Sequence, residues 1–183
     1  MNTLPKTISH NNGFTLVELV MVIVILGILA AIAIPKFSDL STEAKISTLN
    51  GIAGSMRSTI AIVKAKAYAE GLSPQATNPG SAQTDFIITT DAGSFEVMFS
   101  NLCPESVAEL ADATDMAEQI GLGLSDDLTT SIDNRYTRIG YDIQGSGAPT
   151  ANGCYITYDS FGGPGSGASF GNVCPITVIT ADC

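Results

Sequence analysis

The chain reads as an α+β protein in which a long two-part N-terminal helix packs against an antiparallel β-sheet head. Three features carry that expectation. Residues 19–34 hold no charged side chain, and residues 49–67 place apolar side chains at helical spacing. Beyond Gly71 the composition turns to short β-branched and aromatic segments separated by Gly, Ser, Asn, Asp and Pro. The implied organisation is a polar leader at 1–13, a membrane-length apolar helix at 14–34, an amphipathic stalk helix at 35–69 and a disulfide-bonded head at 70–183.

The leader is weakly basic: Lys6 is its one firm cation, joined by His10, the only histidine of the chain. It ends at Gly13-Phe14-Thr15-Leu16-Val17-Glu18, after which the apolar run begins. Segment 14–34 has about the length that crosses a bilayer as a helix, roughly 20 residues. Glu18 therefore stands at the head of a membrane-grade helix, where an ionised carboxylate costs at least a few kcal/mol unless a partner or a role offsets it. Snorkelling of Glu18 to the headgroups is the plainer reading. An ordinary secretory signal, cut after the apolar region at Ala31-Ile32-Ala33, competes with a processing site ahead of it. The acid inside the apolar stretch, the poorly basic leader and the length of the run all count against such a signal, and an uncut N-terminal anchor is a third reading.

The sequence Gly13-Phe14-Thr15-Leu16-Val17-Glu18-Leu19, followed by an apolar helix and Pro35, resembles the class III leader of type IV pilins and their pseudopilin relatives. The resemblance implies the type IV pilin fold, cleavage by a membrane prepilin peptidase between Gly13 and Phe14, and N-methylation of Phe14. It also implies a role for Glu18. Cleavage creates an ammonium at Phe14, and a bundle of apolar helices would bury that cation, which is tolerable only when paired. Glu18, one helical turn along, can reach its own terminus or that of a neighbouring subunit, and the family resemblance points to the neighbour. Within the family, segments 19–31, 35–37, 44–49 and 65–71 look most like pilins of the mannose-sensitive haemagglutinin type.

The stalk follows from periodicity. Leu49, Ile52, Ala53, Met56, Ile60, Val63 and Ala67 fall on one helical face, and Lys45, Asn50, Arg57, Lys64 and Lys66 lie on the other side. The apolar stripe is a packing seam for the head. Pro35 removes a backbone hydrogen bond and should kink the helix or let it unwind locally. A continuous helix from residue 14 to 68 would be about 80 Å long, too long for one small head to bury, so its apolar half calls for lipid or further copies of itself.

In the head, strands are expected at 85–90, 94–100, 136–143, 155–159 and 176–180, with one or two short helices within 104–120. The loops at 144–153 and 160–172 read as exposed connectors, and the Gly-rich run in the second lacks the Gly-Lys-Ser of a phosphate-binding loop. Four cysteines, Cys103, Cys154, Cys174 and Cys183, all lie in the head, an even number that suggests two disulfides in an oxidising compartment. A straight strand at 176–180 would hold Cys174 and Cys183 up to about 30 Å apart, so these two do not pair. A hairpin of 155–159 with 176–180 would bring Cys154 to Cys183 and leave Cys103 for Cys174, the preferred pairing among the three connectivities.

Charge divides the chain. Residues 35–69 carry five Lys or Arg against two acids, and residues 70–183 two Arg against fifteen acids, within an overall charge of −10. An acidic head argues against nucleic-acid binding. Removal of the leader takes away the only histidine, so no His-based triad or His-containing metal site is expected. Asp126, Asp133 and Asp159 lack a calcium-loop signature. No enzymatic activity, cofactor or metal is expected.

The function implied by the resemblance is that of a structural pilus subunit. It would be held in the inner membrane as a precursor, then polymerised with identical subunits into an extracellular fibre of a Gram-negative cell for attachment and biofilm formation, through an unknown host or surface ligand. A type II secretion pseudopilin, or a soluble binding protein released after Ala33, are the alternatives.

Overall fold

The computed structural model describes residues 13–91, 93–109, 113–120, 127–145, 148–163 and 173–183. The chain falls into two compact units, Met1–Ser41 and Thr42–Cys183. Helix α1, Leu16–Ala69, begins in the first and ends in the second. It passes through Pro35, whose missing N–H leaves one helical hydrogen bond unmade. In the first unit the apolar segment is unburied, with Leu16 77 % and Ile28 64 % exposed. It is long and apolar enough to cross a membrane by length and composition.

In the second unit the stripe of α1 faces inward. Leu49, Ile52, Ala53, Met56, Ile60, Val63 and Ala67 are all buried, each large side chain contributing about 1.5–3 kcal/mol by leaving water. The helix stops in a Schellman turn. Gly71 takes a left-handed φ of +86°, Leu72 N donates to Ala67 O at 3.0 Å, and Gly71 N donates to Tyr68 O at 3.0 Å.

The stripe is shared between two sheets. Strands β1 (Ile87–Thr90) and β2 (Gly93–Glu96) form an antiparallel hairpin in the register Ile88↔Phe95. It covers the last turns of α1, where Val63 and Ala67 pack with Phe86, Ile88, Phe95, Val97 and Leu102. Strands β3 (Thr129–Ile132), β4 (Tyr136–Asp142), β5 (Cys154–Asp159) and β6 (Ile176–Ile179) form an antiparallel meander in chain order. Its inner face carries Ile139, Ile156 and Tyr158 onto Leu49, Ile52, Ala53, Met56 and Ile60. The α+β architecture with an antiparallel sheet on the stripe of the long helix is the one expected, though the sheet comes as two.

Four local expectations change. Residues 85–86 belong to a 3-10 helix, Gly80–Phe86, instead of opening β1. Strand β2 ends at Glu96, and beyond it Val97 makes an isolated bridge to Pro104. That bridge, together with Glu105 N donating to Glu96 O at 2.8 Å, holds the start of segment 104–120 against β2. A residue paired in a bridge has extended, not helical, backbone angles, and helix α2 is only Met116–Gln119, capped by Asp115. Leu110 and Ala111, which carried part of the helical spacing, lie outside the described residues, as do Asp126 and residues 146–147 and 164–172 of the two loops. Strand β3 was not expected at all. It is an edge strand with Thr129 and Thr130 exposed, so it lacks the apolar alternation that marks a half-buried strand.

Strand β5 is buried on both faces. On its outer side Tyr155 lies opposite Gly140 of β4, and a Cβ on Gly140 would come within 2.4 Å of Tyr155 Cα and 2.3 Å of Cys154 O. Only glycine admits so close an approach of two backbones.

Candidate functional site

The N-terminal element is built by three consecutive features. Gly13, Phe14 and Thr15 precede the helix in non-helical backbone, and the Phe14 ring is exposed. Thr15 is the residue before the first helical position, and Glu18 is the third residue of α1. The Glu18 Oε2 atom accepts from Thr15 N at 3.0 Å and from Thr15 Oγ1 at 2.7 Å, while Glu18 N donates to Thr15 Oγ1 at 3.3 Å. This is a capping box, in which the hydroxyl and carboxylate satisfy each other's backbone donors. The pattern Thr-x-x-Glu was present in the sequence and was missed there.

The Gly13–Phe14 peptide lies ahead of the helix, and both of its residues are exposed. A new amino group on Phe14 would sit one residue from Thr15, beside a carboxylate already turned toward the start of the helix. No described residue donates to Glu18 Oε1, so half of that carboxylate keeps its acceptor capacity.

In the head, disulfides bond Cys103 to Cys174 and Cys154 to Cys183, with Cα atoms 5.7 and 4.8 Å apart. The first joins the segment after β2 to the approach to β6. The second closes the β5–β6 end, where Asp182 N donates to Gly153 O at 3.0 Å and Gly153 N donates to Asp182 Oδ2 at 2.6 Å. Lys45 of α1 reaches the same corner, its Nζ donating to Cys183 O at 3.2 Å and lying 5.5 Å from the Tyr141 ring centre.

The loop carboxylates Asp133 and Asp159 are occupied. Asp133 Oδ1 accepts from Arg135 N and Tyr136 N, and Oδ2 from Arg138 Nη1 at 2.9 Å. Partial burial pushes its carboxyl up, yet these donors together hold it below the usual carboxylate range. Asp159 takes both donors of the Arg135 fork and the backbone N–H groups of Phe161 and Gly163. Their oxygen atoms serve the β3–β4 turn and the strand ends, and among the described residues no group of three or more His, Cys, Asp or Glu is arranged to hold a metal ion.

A family model described as a prokaryotic N-terminal methylation motif matches residues 8–34. The chain is 49 % identical over 55 residues to the type IV narrow pilus major component PilA5 of Thermus thermophilus, a match covering 30 % of this chain and 47 % of that protein. It is 44 % identical over 52 residues to the type IV major fimbrial protein FimA of Dichelobacter nodosus, covering 28 % and 33 % respectively. It is 43 % identical over 60 residues to the type IV major pilin PilE1 of Neisseria gonorrhoeae, covering 33 % of each. The chain thus spans between a third and a half of the length of these curated relatives. No solved structure matches it.

Proposed function

We propose that this chain, whose N-terminal third is that of a type IV pilin, is a structural subunit of a type IV pilus. The prepilin peptidase cuts between Gly13 and Phe14, and Phe14 is then N-methylated. The apolar segment of α1 holds the subunit in the inner membrane until assembly. In the fibre it packs against the same segment of other copies, and Pro35 gives the helix its bend point. The head then forms the outer, extracellular surface, which serves attachment and biofilm formation.

The observation that carries this reading is the pairing of an unburied apolar helix with an exposed Gly13–Phe14 junction and a carboxylate at its head. An apolar surface of that extent requires lipid or copies of itself. Glu18 spans the gap between the two states. In the membrane it is satisfied by Thr15, and in the fibre its free oxygen receives the Phe14 ammonium of a neighbour, fixing the axial register.

Intact mass and electron microscopy of sheared surface material test the proposal together. The wild type should begin at methylated Phe14 and form long fibres. Gly13→Ala should leave uncut precursor in the membrane and no fibres, and Glu18→Ala should be cut but fail to assemble. Normal fibres from Glu18→Ala would remove the register role, and a chain beginning at Ile34 would remove the pilin reading.

A further inference from the structure

A group of carboxylates lies in the head, on β2 and on the segment that follows Cys103. After β2 the chain folds back on Glu96, with Glu105 N donating to the Glu96 backbone oxygen and Glu109 N to Glu96 Oε2, both at 2.8 Å. This turn gathers Glu96, Glu105 and Glu109. Glu105 is only 8 % exposed and lines a cavity of about 380 Å³. Glu109, Asn78, Asn134, Phe99 and Phe161 share that cavity.

Glu105 is the unusual member. Among the described residues none donates a hydrogen bond to its carboxyl, and the ionisable groups that act on it or on which it acts are Glu96, Glu109 and the Tyr158 phenol. That phenol already donates to Pro104 O at 2.6 Å. The nearby guanidinium of Arg135 is committed to Asp159 and lies over the other aromatic wall, 5.7 Å from the Phe161 ring centre. Burial first, and then Glu96 and Glu109, push the Glu105 carboxyl up to about 8. A buried carboxyl beside like charges is relieved only by a proton or by a cation.

The wall chemistry selects the cation. Among the described residues no three His, Cys, Asp or Glu are arranged to hold a metal ion. Two aromatic rings and Met98 offer apolar and cation–π contact, the Asn78 and Asn134 amides add acceptors, and the volume admits a molecule of several heavy atoms. We propose that this cavity is a binding site for a primary alkylammonium cation, with Glu105 and Glu109 as counter-charges and the Phe99 and Phe161 rings against the alkyl chain. The group comes from a free amine or from a lysine side chain of a second copy. The site does not depend on the pilus reading, because it lies wholly within the unit Thr42–Cys183.

Isothermal titration of the full chain in detergent micelles with n-butylamine, with n-butanol as the uncharged control, tests the site. Butylammonium should bind and butanol should not. Because the empty site holds a proton on Glu105 at neutral pH, binding at pH 7 should release a proton, seen as heat that scales with the ionisation enthalpy of the buffer, and affinity should rise toward pH 8. Glu105→Gln, which mimics the protonated carboxyl and so retains the fold, should weaken binding by at least about tenfold and abolish the proton release. Sedimentation separates the sources. Self-association that butylamine or Glu105→Gln disperses assigns the site to a lysine of a second copy, and butylamine binding without such association assigns it to a free amine. Absence of butylammonium binding, equal binding by Glu105→Gln, or calcium binding in its place overturns the proposal.

Discussion

Arg135 grips Asp159 through two parallel hydrogen bonds of 2.9 Å, from Nε to Oδ1 and from Nη2 to Oδ2, tying the start of β4 to the end of β5. The pair is largely buried, at 25 % and 12 % side-chain exposure, and Arg135 also donates to Gly163 O. The hydrogen bond to Asp159 holds the guanidinium above its ordinary pKa, against partial burial. Asp159→Ala leaves that cation without its partner and frees two backbone N–H groups of the following loop. It should destabilise the head by about 2–4 kcal/mol in urea unfolding. A loss below about 0.5 kcal/mol would show that solvent replaces the pair without cost.

Two glycines should respond in opposite senses. Gly140→Ala pushes a methyl into the backbone of β5 and should lower stability by about 3 kcal/mol or prevent folding. Gly54 lies on the exposed side of α1 with open space where a Cβ would be, and Gly54→Ala should raise stability by up to about 1 kcal/mol. Thermal melts of the two variants decide both. Equal melting temperatures would contradict the packing of β4 on β5.

Stability should fall as pH rises from about 4.5 to about 8. The Glu105 carboxyl is pushed up to about 8 in the folded chain by burial and by Glu96 and Glu109, whereas its ordinary value is 4.5. The unfolded chain therefore loses the proton first, and the folded chain keeps it until the upper end of that window. The stability associated with the protonated group is fully present below the lower value and lost through the upper one, a fall of roughly a few kcal/mol. Glu105→Gln should flatten this slope in urea unfolding followed from pH 5 to 8. An unchanged slope would place the pH dependence elsewhere.

Removal of the β5–β6 clamp by the double substitution Cys154→Ser and Cys183→Ser should cost about 3–4 kcal/mol, since it opens a loop with a sequence separation of 29. Lys45, the Asp182–Gly153 contacts and the β5–β6 ladder then remain at the corner. Hydrogen exchange should show β6 amides losing protection before those of β4. Uniform protection would mean that the ladder needs no clamp.

Thr15→Val keeps the shape of the side chain but removes the hydroxyl from the capping box. Amides at the start of α1 should exchange about fivefold faster in micelles, equivalent to about 1 kcal/mol. No change would mean that the Glu18 carboxylate alone caps the helix.

The long helix was legible because its evidence is local. Leu49 to Ala67 repeat at three and four residues, and that spacing lines one face wherever a helix forms. The same locality misled at 104–120. Val107 and Leu110 have helical spacing, but Pro104 and Glu105 are held by Val97 and Glu96, and a backbone pairing with β2 outweighs a weak helical preference. Strand β3 left little trace, since only its register with β4, Thr130 opposite Ile139, makes it a strand. At the N-terminus Gly13, Phe14, Thr15 and Glu18 lie within six consecutive residues, so their association could be read directly. The capping box of Thr15 and Glu18 is also written there, as Thr-x-x-Glu ahead of an apolar run, and the folded geometry adds its hydrogen bonds.

By itself the sequence determined an unpartnered apolar helix headed by an acid, an amphipathic continuation and a strand-rich acidic head, because backbone periodicity converts residue spacing into faces. Only the tertiary structure decided that the stripe is split between a hairpin and a meander, and that Glu105 and Glu109 line one cavity with Glu96 beside Glu105. Those outcomes depend on which distant backbone groups satisfy one another and which side chains are driven out of water together. Neither is written in the spacing of neighbours along the chain.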